Sequence, residues 1–250
     1  MESQAKQHWE RVYTTKESTR VSWFQEHARQ SVELIRQTGA SHEAAIIDVG
    51  GGASTLVDDL IDDGYSNLTV LDLSAAALSA ARARLGAKGD RVSWQVGDVT
   101  QFEFPRHAYE VWHDRAVFHF LITQQARDAY VRAVLHAVRP GGNVIVATFA
   151  EDGPDQCSGL PVARYSPDAL HAEFGAPFTL LRHTREEHHT PFGTVQQFVY
   201  CLCRKNSPPP RQRPAGSGSF SSTQSDPQVP GAAASARGAG RCSTARVGAI

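Results

Sequence analysis

The pattern of apolar and polar positions divides the middle of the chain into alternating strand-like and helix-like segments. Compact apolar runs predict strands at about 45–49, 68–73, 91–96, 109–112 and 143–149. N-cap residues and helical spacing predict helices at about 55–63, 75–85 and 124–138. Such alternation is typical of an α/β protein, in which helices cover both faces of a mostly parallel sheet.

Both flanks of this region depart from the alternation. Strand-like runs at about 178–186 and 195–203 have no helix between them, and Thr190-Pro191-Phe192-Gly193 suits a turn. These two runs predict a terminal antiparallel pair of strands. Ahead of the first strand a helix is predicted near 26–38, so residues 1–43 are expected to form a helical cap or lid.

The composition changes sharply at about residue 206. Residues 206–250 hold six of the thirteen prolines, five arginines and a single acid, Asp226, with almost no large apolar residue. We therefore expect a disordered tail behind a domain at 44–205. The tail's charge of +4 leaves about −5 on residues 1–205, because the whole chain carries −1. A mildly acidic domain argues against nucleic acid as a partner.

Several sequence features bear on the compartment. No apolar run approaches the roughly 18 residues that a membrane-spanning helix needs, and the first residues are polar, unlike a secretory signal. The four cysteines, at 157, 201, 203 and 242, show no spacing typical of metal ligands. We therefore expect a cytoplasmic protein with free thiols, with no metal site and no membrane contact.

A glycine-rich loop follows the first predicted strand, at Asp48-Val49-Gly50-Gly51-Gly52. Glycines let a ligand approach the backbone closely, and the helix N-terminus that follows favours a negatively charged group. Asp72 ends the second strand and Asp98 ends the third. Because the carboxyl ends of parallel strands meet at one edge of a sheet, the pattern predicts a site for an adenosine-containing ligand.

Two other nucleotide sites fit the loop less well. A dinucleotide fingerprint would have a third glycine where Thr55 stands, and it leaves Asp48 without a role. A phosphate-binding P-loop requires Gly-Lys followed by Ser or Thr, which the chain lacks at this loop.

The motifs resemble those of the class I S-adenosylmethionine-dependent methyltransferases. Ile47-Asp48-Val49-Gly50-Gly51-Gly52 is similar to their first motif, Leu71-Asp72-Leu73-Ser74 to their second and Gly97-Asp98-Val99 to their third. Arg139-Pro140-Gly141-Gly142 resembles the turn before their fifth strand, whereas Ser54 replaces the last glycine of the first motif. The resemblance implies a doubly wound, mostly parallel seven-stranded sheet with a terminal antiparallel strand, and S-adenosyl-L-methionine as the cofactor.

The resemblance also implies which side chains contact the cofactor: Asp48, Gly50, Gly52, Asp72, Leu73, Asp98 and Val99. The two glycines would line its methionine part, whose amino group Asp48 would orient. Asp72 would hold the ribose, and the last three residues would surround the adenine.

The acceptor side is expected at the carboxyl end of the fourth strand, which faces the transferable methyl group in this family. The polar run His113-Asp114-Arg115 is the candidate catalytic segment. Asp114 or His113 would act as a general base, and Arg115 would anchor an anionic group. A structural pairing of Asp114 with Arg115 is the alternative. His119 fits a packing role as well as a catalytic one.

Aromatic residues precede the sheet, at Trp9, Tyr13 and Trp23 among others. In similar small-molecule and lysine methyltransferases, N-terminal aromatic residues close over the cofactor. The alternative is that they only anchor the N-terminal segment to the core.

We therefore expect a methyltransferase that acts by in-line displacement on a small-molecule acceptor: a thiol, an acid or an amine. Asp114-Arg115 also resembles the fourth-strand segment of the thiopurine methyltransferase group, whose acceptors are thiols. A protein lysine methyltransferase is the second hypothesis, which makes a protein substrate possible. A non-catalytic, cofactor-binding partner subunit is the hypothesis from another class.

Overall fold

The computed structural model describes residues 4–207, in which nine strands follow one another along the chain. They are β1 (Ile46–Val49), β2 (Leu68–Asp72), β3 (Val92–Val96), β4 (Tyr109–Arg115), β5 (Val138–Phe149), β6 (Gln156–Cys157), β7 (Leu160–Pro161), β8 (Phe178–His189) and β9 (Val195–Lys205). The two shortest strands, β6 and β7, pair with each other, and the other seven form one sheet.

The helices of the described residues are α1 (Gln4–Thr15), α2 (Arg29–Gln37), α3 (Leu56–Asp62), α4 (Ala75–Leu85), α5 (Gln124–Ala137) and α6 (Pro167–Phe174). Short 3₁₀ segments lie at Ser18–Arg20, Gly86–Arg91 and Phe118–Phe120. Ser74 caps α4 as predicted, because its hydroxyl accepts a hydrogen bond from the N–H of Ala77 at 3.1 Å.

The sheet order is β3-β2-β1-β4-β5-β9-β8. In this order the first five strands run parallel to one another, and β9 is antiparallel to both β5 and β8. This confirms the predicted α/β fold, a seven-stranded, mostly parallel sheet with a terminal antiparallel strand. The predicted turn at Thr190-Pro191-Phe192-Gly193 joins β8 to β9.

Apolar residues cover both faces of the sheet, as a doubly wound fold requires. In β1, Ile47 packs in the layer that contains Tyr130 of α5, whereas Ile46 packs in the layer that contains Ile35 of α2. Successive residues of a strand point to opposite faces, so each strand contributes to both layers. The carboxyl ends of β1 to β4 lie at one edge of the sheet, because these strands run parallel.

Strand β5 begins earlier than predicted, because pairing with β4 starts before the Pro140-Gly141-Gly142 turn. Val138 lies opposite Tyr109, and the next paired residue, Asn143, lies opposite Val111. The predicted turn is thus present as a bulge inside the strand, with Gly141 at φ 76°.

The N-terminal region contains two helices rather than the single predicted one. Helix α1 is absent from the predicted elements because it is polar and only one of its residues, Val12, is buried. The expected tail lies outside the described residues from 208 onwards. Within residues 4–207, no helix has the length and apolar character to cross a membrane. The cytoplasmic location stays a prediction.

Candidate functional site

The glycine-rich loop passes directly beneath two carboxylates. A Cβ atom on Gly51 would overlap Oδ2 of Asp48, and one on Gly52 would lie 2.7 Å from Oδ2 of Asp72. Gly52 has φ 37°, in the left-handed region that favours glycine. The absence of side chains therefore lets two acids from neighbouring strands approach the same stretch of backbone.

A cavity of about 410 Å³ lies at the carboxyl ends of the first four strands. Five of the residues predicted to bind the cofactor line it: Gly50, Asp72, Leu73, Asp98 and Val99. A smaller cavity of about 50 Å³ contacts Asp48 and shares the walls formed by Gly50, Tyr13, Trp23 and Arg115. Gly52 lines neither cavity and instead lies under Asp72.

Asp72 is buried at the end of β2, where its Oδ1 accepts a hydrogen bond from the N–H of Ser74 at 2.8 Å. Burial is the largest cause that raises the pKa of this carboxyl to about 7, and the nearby charges of Asp48 and Glu10 contribute in the same direction. A buried carboxylate beside an open cavity can accept hydrogen bonds from two ribose hydroxyls.

Asp98 is fixed at the carboxyl end of β3. Its Oδ1 accepts hydrogen bonds from the backbone N–H of Thr100 at 2.9 Å and from the hydroxyl of Thr100 at 2.7 Å. The side chain is partly exposed on the cavity wall, beside Val99. It can therefore still accept a hydrogen bond from an adenine amino group.

His113 does not line the larger cavity. Its Nδ1 lies 2.7 Å from Oδ1 of Asp48, and its Nε2 lies 2.9 Å from the hydroxyl of Ser31 on α2. All three side chains are buried. The predicted role as a general base acting on the acceptor is therefore not supported, because both imidazole nitrogens have internal partners.

The position of Asp114 also gives no support to its predicted role as a general base, which stays a prediction. Its carboxylate is fully buried and lines neither cavity. It accepts hydrogen bonds from the N–H of Val117 at 2.8 Å, the N–H of Phe118 at 3.1 Å and the hydroxyl of Tyr130 at 2.6 Å. With three internal donors, Asp114 stabilises the turn that follows β4.

Arg115 lines both cavities, but its positive charge is balanced within the protein. Its Nε donates to the hydroxyl of Tyr200 at 2.9 Å, and its guanidinium lies 3.4 Å from Oε2 of Glu186. The guanidinium carbon also lies 4.1 Å from the centre of the Phe198 ring. The pairing of Arg115 with Asp114, considered from the sequence, is wrong, because Glu186 is the partner.

The predicted aromatic residues do line the larger cavity. Trp9 and Tyr13 of α1, Trp23 and Phe120 all contact it. The ring of Trp9 lies 5.2 Å from that of Phe120 and 5.6 Å from that of Trp23, both edge to face. Glu10 on the same helix approaches the N–H of Ala76 at 3.2 Å, which fixes α1 to the start of α4.

A hairpin of β6 and β7, which is not among the predicted elements, brings Cys157, Leu160 and Pro161 to the cavity. Ser158 and Gly159 connect the two strands with φ values of 53° and 77°. A Ser-Gly pair is a turn signal, so this dipeptide could have predicted the hairpin.

His119 behaves as a packing residue. It is buried against Phe120 and Phe149, and it does not line the cavity. Burial lowers the pKa of this imidazole to about 3, and the charge of Arg115 acts in the same direction. His119 is therefore neutral at physiological pH.

Two further ionisable side chains that line the larger cavity, Tyr13 and Cys157, stay neutral. Burial raises the pKa of the Cys157 thiol to about 12 and also raises the pKa of Tyr13, so both stay protonated at neutral pH. Among the described residues, no group of three or more histidine, cysteine or acidic side chains could hold a metal ion. The site can therefore bind and position a ligand, and the carboxyl groups that line the described cavity are those of Asp72 and Asp98.

Comparisons with known proteins agree with this geometry. A family model described as a methyltransferase domain matches residues 46–142. The eEF1A lysine and N-terminal methyltransferase of Mus musculus is 22% identical over 150 residues, which cover 58% of this chain and 21% of that protein. The EEF1A lysine methyltransferase 2 of Danio rerio is 27% identical over 133 residues, covering 50% of this chain and 57% of that protein. The chain thus spans between about a fifth and just over half of the length of these relatives.

Solved structures share the fold. One determined in work on the conversion of a disulfide bond into a thioacetal group during echinomycin biosynthesis superposes with a TM-score of 0.67. It is 19% identical, and the alignment covers 81% of this chain and 92% of that one. Residues 46–142 thus match a methyltransferase domain, and the order of the strands and the cavity at their carboxyl ends fit the class I, seven-stranded fold of S-adenosylmethionine-dependent methyltransferases.

Proposed function

We propose that the protein transfers a methyl group from S-adenosyl-L-methionine to a small-molecule acceptor by in-line displacement. One observation carries this proposal. The cavity of about 410 Å³ is lined by two acids, Asp72 and Asp98, and by four aromatic rings. Such a mixed lining suits a polar cofactor together with an apolar acceptor.

The residues of the site fit this cofactor. Within residues 4–207, Oδ2 of Asp48 is buried without a hydrogen-bond partner, which suits the ammonium group of the methionine part. Asp72 would accept hydrogen bonds from the ribose, and Leu73, Asp98 and Val99 would surround the adenine. The bound cofactor supplies an electrophilic methyl group on a sulfonium.

The side chains that line the cavity favour an acceptor that needs no base from the protein. Cys157 and Tyr13 stay protonated at neutral pH, and Asp114 faces the core. A thiol or a carboxylic acid can ionise without help, whereas an ammonium group must first lose a proton. Positioning and exclusion of water can supply roughly 7–11 kcal/mol of the barrier reduction. An aromatic thiol or acid therefore fits the site better than an aliphatic amine.

A protein lysine is the second candidate acceptor. Two relatives are described as methyltransferases that act on eEF1A lysine. Trp9 and Trp23 on the cavity wall could also hold an ammonium group through cation–π contacts. The third hypothesis, a non-catalytic partner subunit, requires cofactor binding without turnover.

The test has two steps. Calorimetry first measures binding of S-adenosylhomocysteine, and we expect a dissociation constant in the micromolar range, roughly −8 kcal/mol. Labelled methyl transfer is then measured with an aromatic thiol, an aromatic carboxylic acid, an aliphatic amine and purified eEF1A. Methylation of the thiol or acid supports the proposal, and methylation of eEF1A alone supports the lysine hypothesis. Binding without transfer to any of these four acceptors favours the partner subunit, whereas no binding overturns all three.

A further inference from the structure

Three buried polar side chains from three different elements form a continuous hydrogen-bonded chain. Ser31 lies on α2, His113 on β4 and Asp48 on β1, and they are 1%, 2% and 4% exposed, respectively. The distances along the chain are 2.9 Å from the Ser31 hydroxyl to Nε2 and 2.7 Å from Nδ1 to Oδ1 of Asp48. We call this set the Ser31–His113–Asp48 relay.

The relay has one arrangement of protons that satisfies a neutral imidazole. The carboxylate of Asp48 only accepts hydrogen bonds, so Nδ1 of His113 donates to it. Nε2 then accepts a hydrogen bond from the hydroxyl of Ser31. Each member thus fixes the orientation of the next, from the N-terminal helix to the strand that leads into the glycine-rich loop.

The order serine, histidine, acid is also the order found in hydrolases, but a hydrolytic role does not fit here. A nucleophilic serine must meet an acyl group and an oxyanion hole. Ser31 is 1% exposed and lies inside helix α2, where its hydroxyl is hydrogen-bonded to Nε2 of His113. The hydroxyl is therefore too deeply buried to attack an acyl group.

One oxygen at the end of the relay, Oδ2 of Asp48, indicates that a ligand binds there. Within the described part of the chain, Oδ2 of Asp48 has no hydrogen-bond partner, although it is buried. It lies over Gly51, because a Cβ atom there would overlap it. A buried carboxylate oxygen without a hydrogen-bond partner raises the free energy of the folded protein. A cation beside the glycine-rich loop would remove this penalty.

We propose that Ser31 and His113 position the carboxylate of Asp48 for the ammonium group of the cofactor, and that His113 is a positioning residue for the amino-acid end of the ligand. This inference rests on the proposed cofactor binding. The donor at Nδ1 occupies Oδ1 and leaves Oδ2 facing the loop. The relay also makes affinity for the cofactor depend on Ser31, a residue of the N-terminal region that lies outside the family's motifs.

The experiment compares two ligands by calorimetry. S-adenosylhomocysteine has the amino-acid end, whereas 5′-methylthioadenosine has the adenosine and the sulfur but no ammonium group. For His113→Leu we expect affinity for S-adenosylhomocysteine to fall about tenfold, because a hydrogen bond that orients a charged group is lost. Affinity for 5′-methylthioadenosine should stay within about twofold of the wild type.

Three further variants control for folding. His113→Asn keeps an N–H donor near the position of Nδ1 and should restore most of the affinity. Ser31→Ala removes one hydroxyl and should cause a smaller loss, again for S-adenosylhomocysteine alone. In an Asp48→Asn background, His113→Leu should add little, because the relay has already lost its acceptor charge.

Equal losses for both ligands in these variants would overturn the proposal and leave His113 a purely structural residue. Unchanged affinity for S-adenosylhomocysteine in both His113→Leu and Ser31→Ala would also overturn it, while cofactor binding itself would stand. If the wild type binds neither ligand, the proposed function and this inference both fail. Should His113→Leu not fold, the comparison of the two ligands on Ser31→Ala and Asp48→Asn decides the question.

Discussion

The hydroxyl of Tyr130 donates a hydrogen bond of 2.6 Å to the carboxylate of Asp114, deep in the core between β4 and α5. The indole N–H of Trp112 donates in turn to the same hydroxyl at 2.9 Å. The carboxylate also holds the backbone just after Ala116, a non-glycine residue at φ 74° that lines the cavity. Asp114 therefore stabilises a strained turn at the edge of the cavity.

We predict that Asp114→Asn lowers the free energy of unfolding by about 1–3 kcal/mol, because an amide N–H₂ replaces one acceptor oxygen among three donors. Affinity for S-adenosylhomocysteine should change little. Denaturant unfolding and calorimetry measure the two quantities, and Tyr130→Phe, which removes one of the donors, is the matched control. A stable Asp114→Asn protein that binds the cofactor but has lost turnover would restore the general-base role.

The position of Asp114 shows what the sequence does and does not specify. Polar residues at the end of β4 were correctly expected near the site, and Arg115 does line the cavity. Successive strand residues face opposite sides, so His113 and Arg115 share one face and Asp114 shares the other with Trp112. This alternation separates Asp114 from Arg115, but it cannot tell which of the two faces borders the cavity, because buried layers cover both. The sequence pattern could not identify Tyr130 or Glu186 as partners, because those contacts depend on how distant elements pack.

The positions of the acids at the ends of β2 and β3 were easier to predict, because the course of the backbone determines them. The ends of β1, β2 and β3 meet at one edge in any parallel sheet, so Asp72 and Asp98 could be assigned from strand endings alone. The α1 helix was not predicted because Val12 is its one buried residue, while Trp9 and Tyr13 line a cavity and do not extend a regular apolar stripe.

We predict that Asp72→Asn weakens binding of S-adenosylhomocysteine by about 2–3 kcal/mol, or roughly 30- to 150-fold, because the amide cannot accept both ribose hydroxyls. The melting temperature at pH 8 should not fall. Burial raises the pKa of this carboxyl to about 7, so the ionised form is unfavourable in the folded protein without a ligand. Calorimetry with Asp62→Asn, which changes an acid of α3 whose side chain is 66% exposed, provides the control. Normal affinity of the Asp72 variant would remove Asp72 from the site.

The same carboxyl predicts a pH dependence of cofactor binding. Its pKa of about 7 in the folded protein lies above the ordinary value of 3.8, so it gains a proton as the pH falls through 7. Ribose hydroxyls favour the ionised form, and affinity should therefore fall by up to about tenfold per pH unit below 7. Calorimetry from pH 8 to pH 5.5 measures this slope. Asp72→Asn should flatten it, and an equally steep slope in that variant would assign the effect to another group.

The same rise in pKa predicts that the protein without its cofactor loses stability as the pH increases from about 4 to 7. The folded state binds more protons than the unfolded state in that range, because the folded pKa is the higher of the two. Thermal unfolding of Asp72→Asn and of the wild type across this window measures the contribution of Asp72. We expect the difference between the two proteins to favour the variant increasingly as the pH approaches 8.

Arg115 provides the last prediction, which separates a structural ion pair from an anchor for an anionic acceptor. Arg115 and Glu186 are 10% and 15% exposed, with 3.4 Å between the guanidinium and Oε2. Removing one partner of a buried pair leaves the other charge without compensation, so Arg115→Met should cost about 3 kcal/mol of stability. Glu186 keeps donors from Tyr200 at 2.7 Å and Gln25 at 2.8 Å, which limits the loss.

The double variant Arg115→Met with Glu186→Gln tests the pairing, because it removes both charges and keeps both side-chain volumes. We expect it to recover most of the stability lost in Arg115→Met, which denaturant unfolding measures as a coupling free energy of about 1–3 kcal/mol. If Arg115 instead anchors an anionic acceptor, the single variant keeps its stability and raises KM for that acceptor with little change in kcat. Because Glu186 already balances the guanidinium charge, we expect the stability effect to dominate and KM for a neutral thiol to stay unchanged.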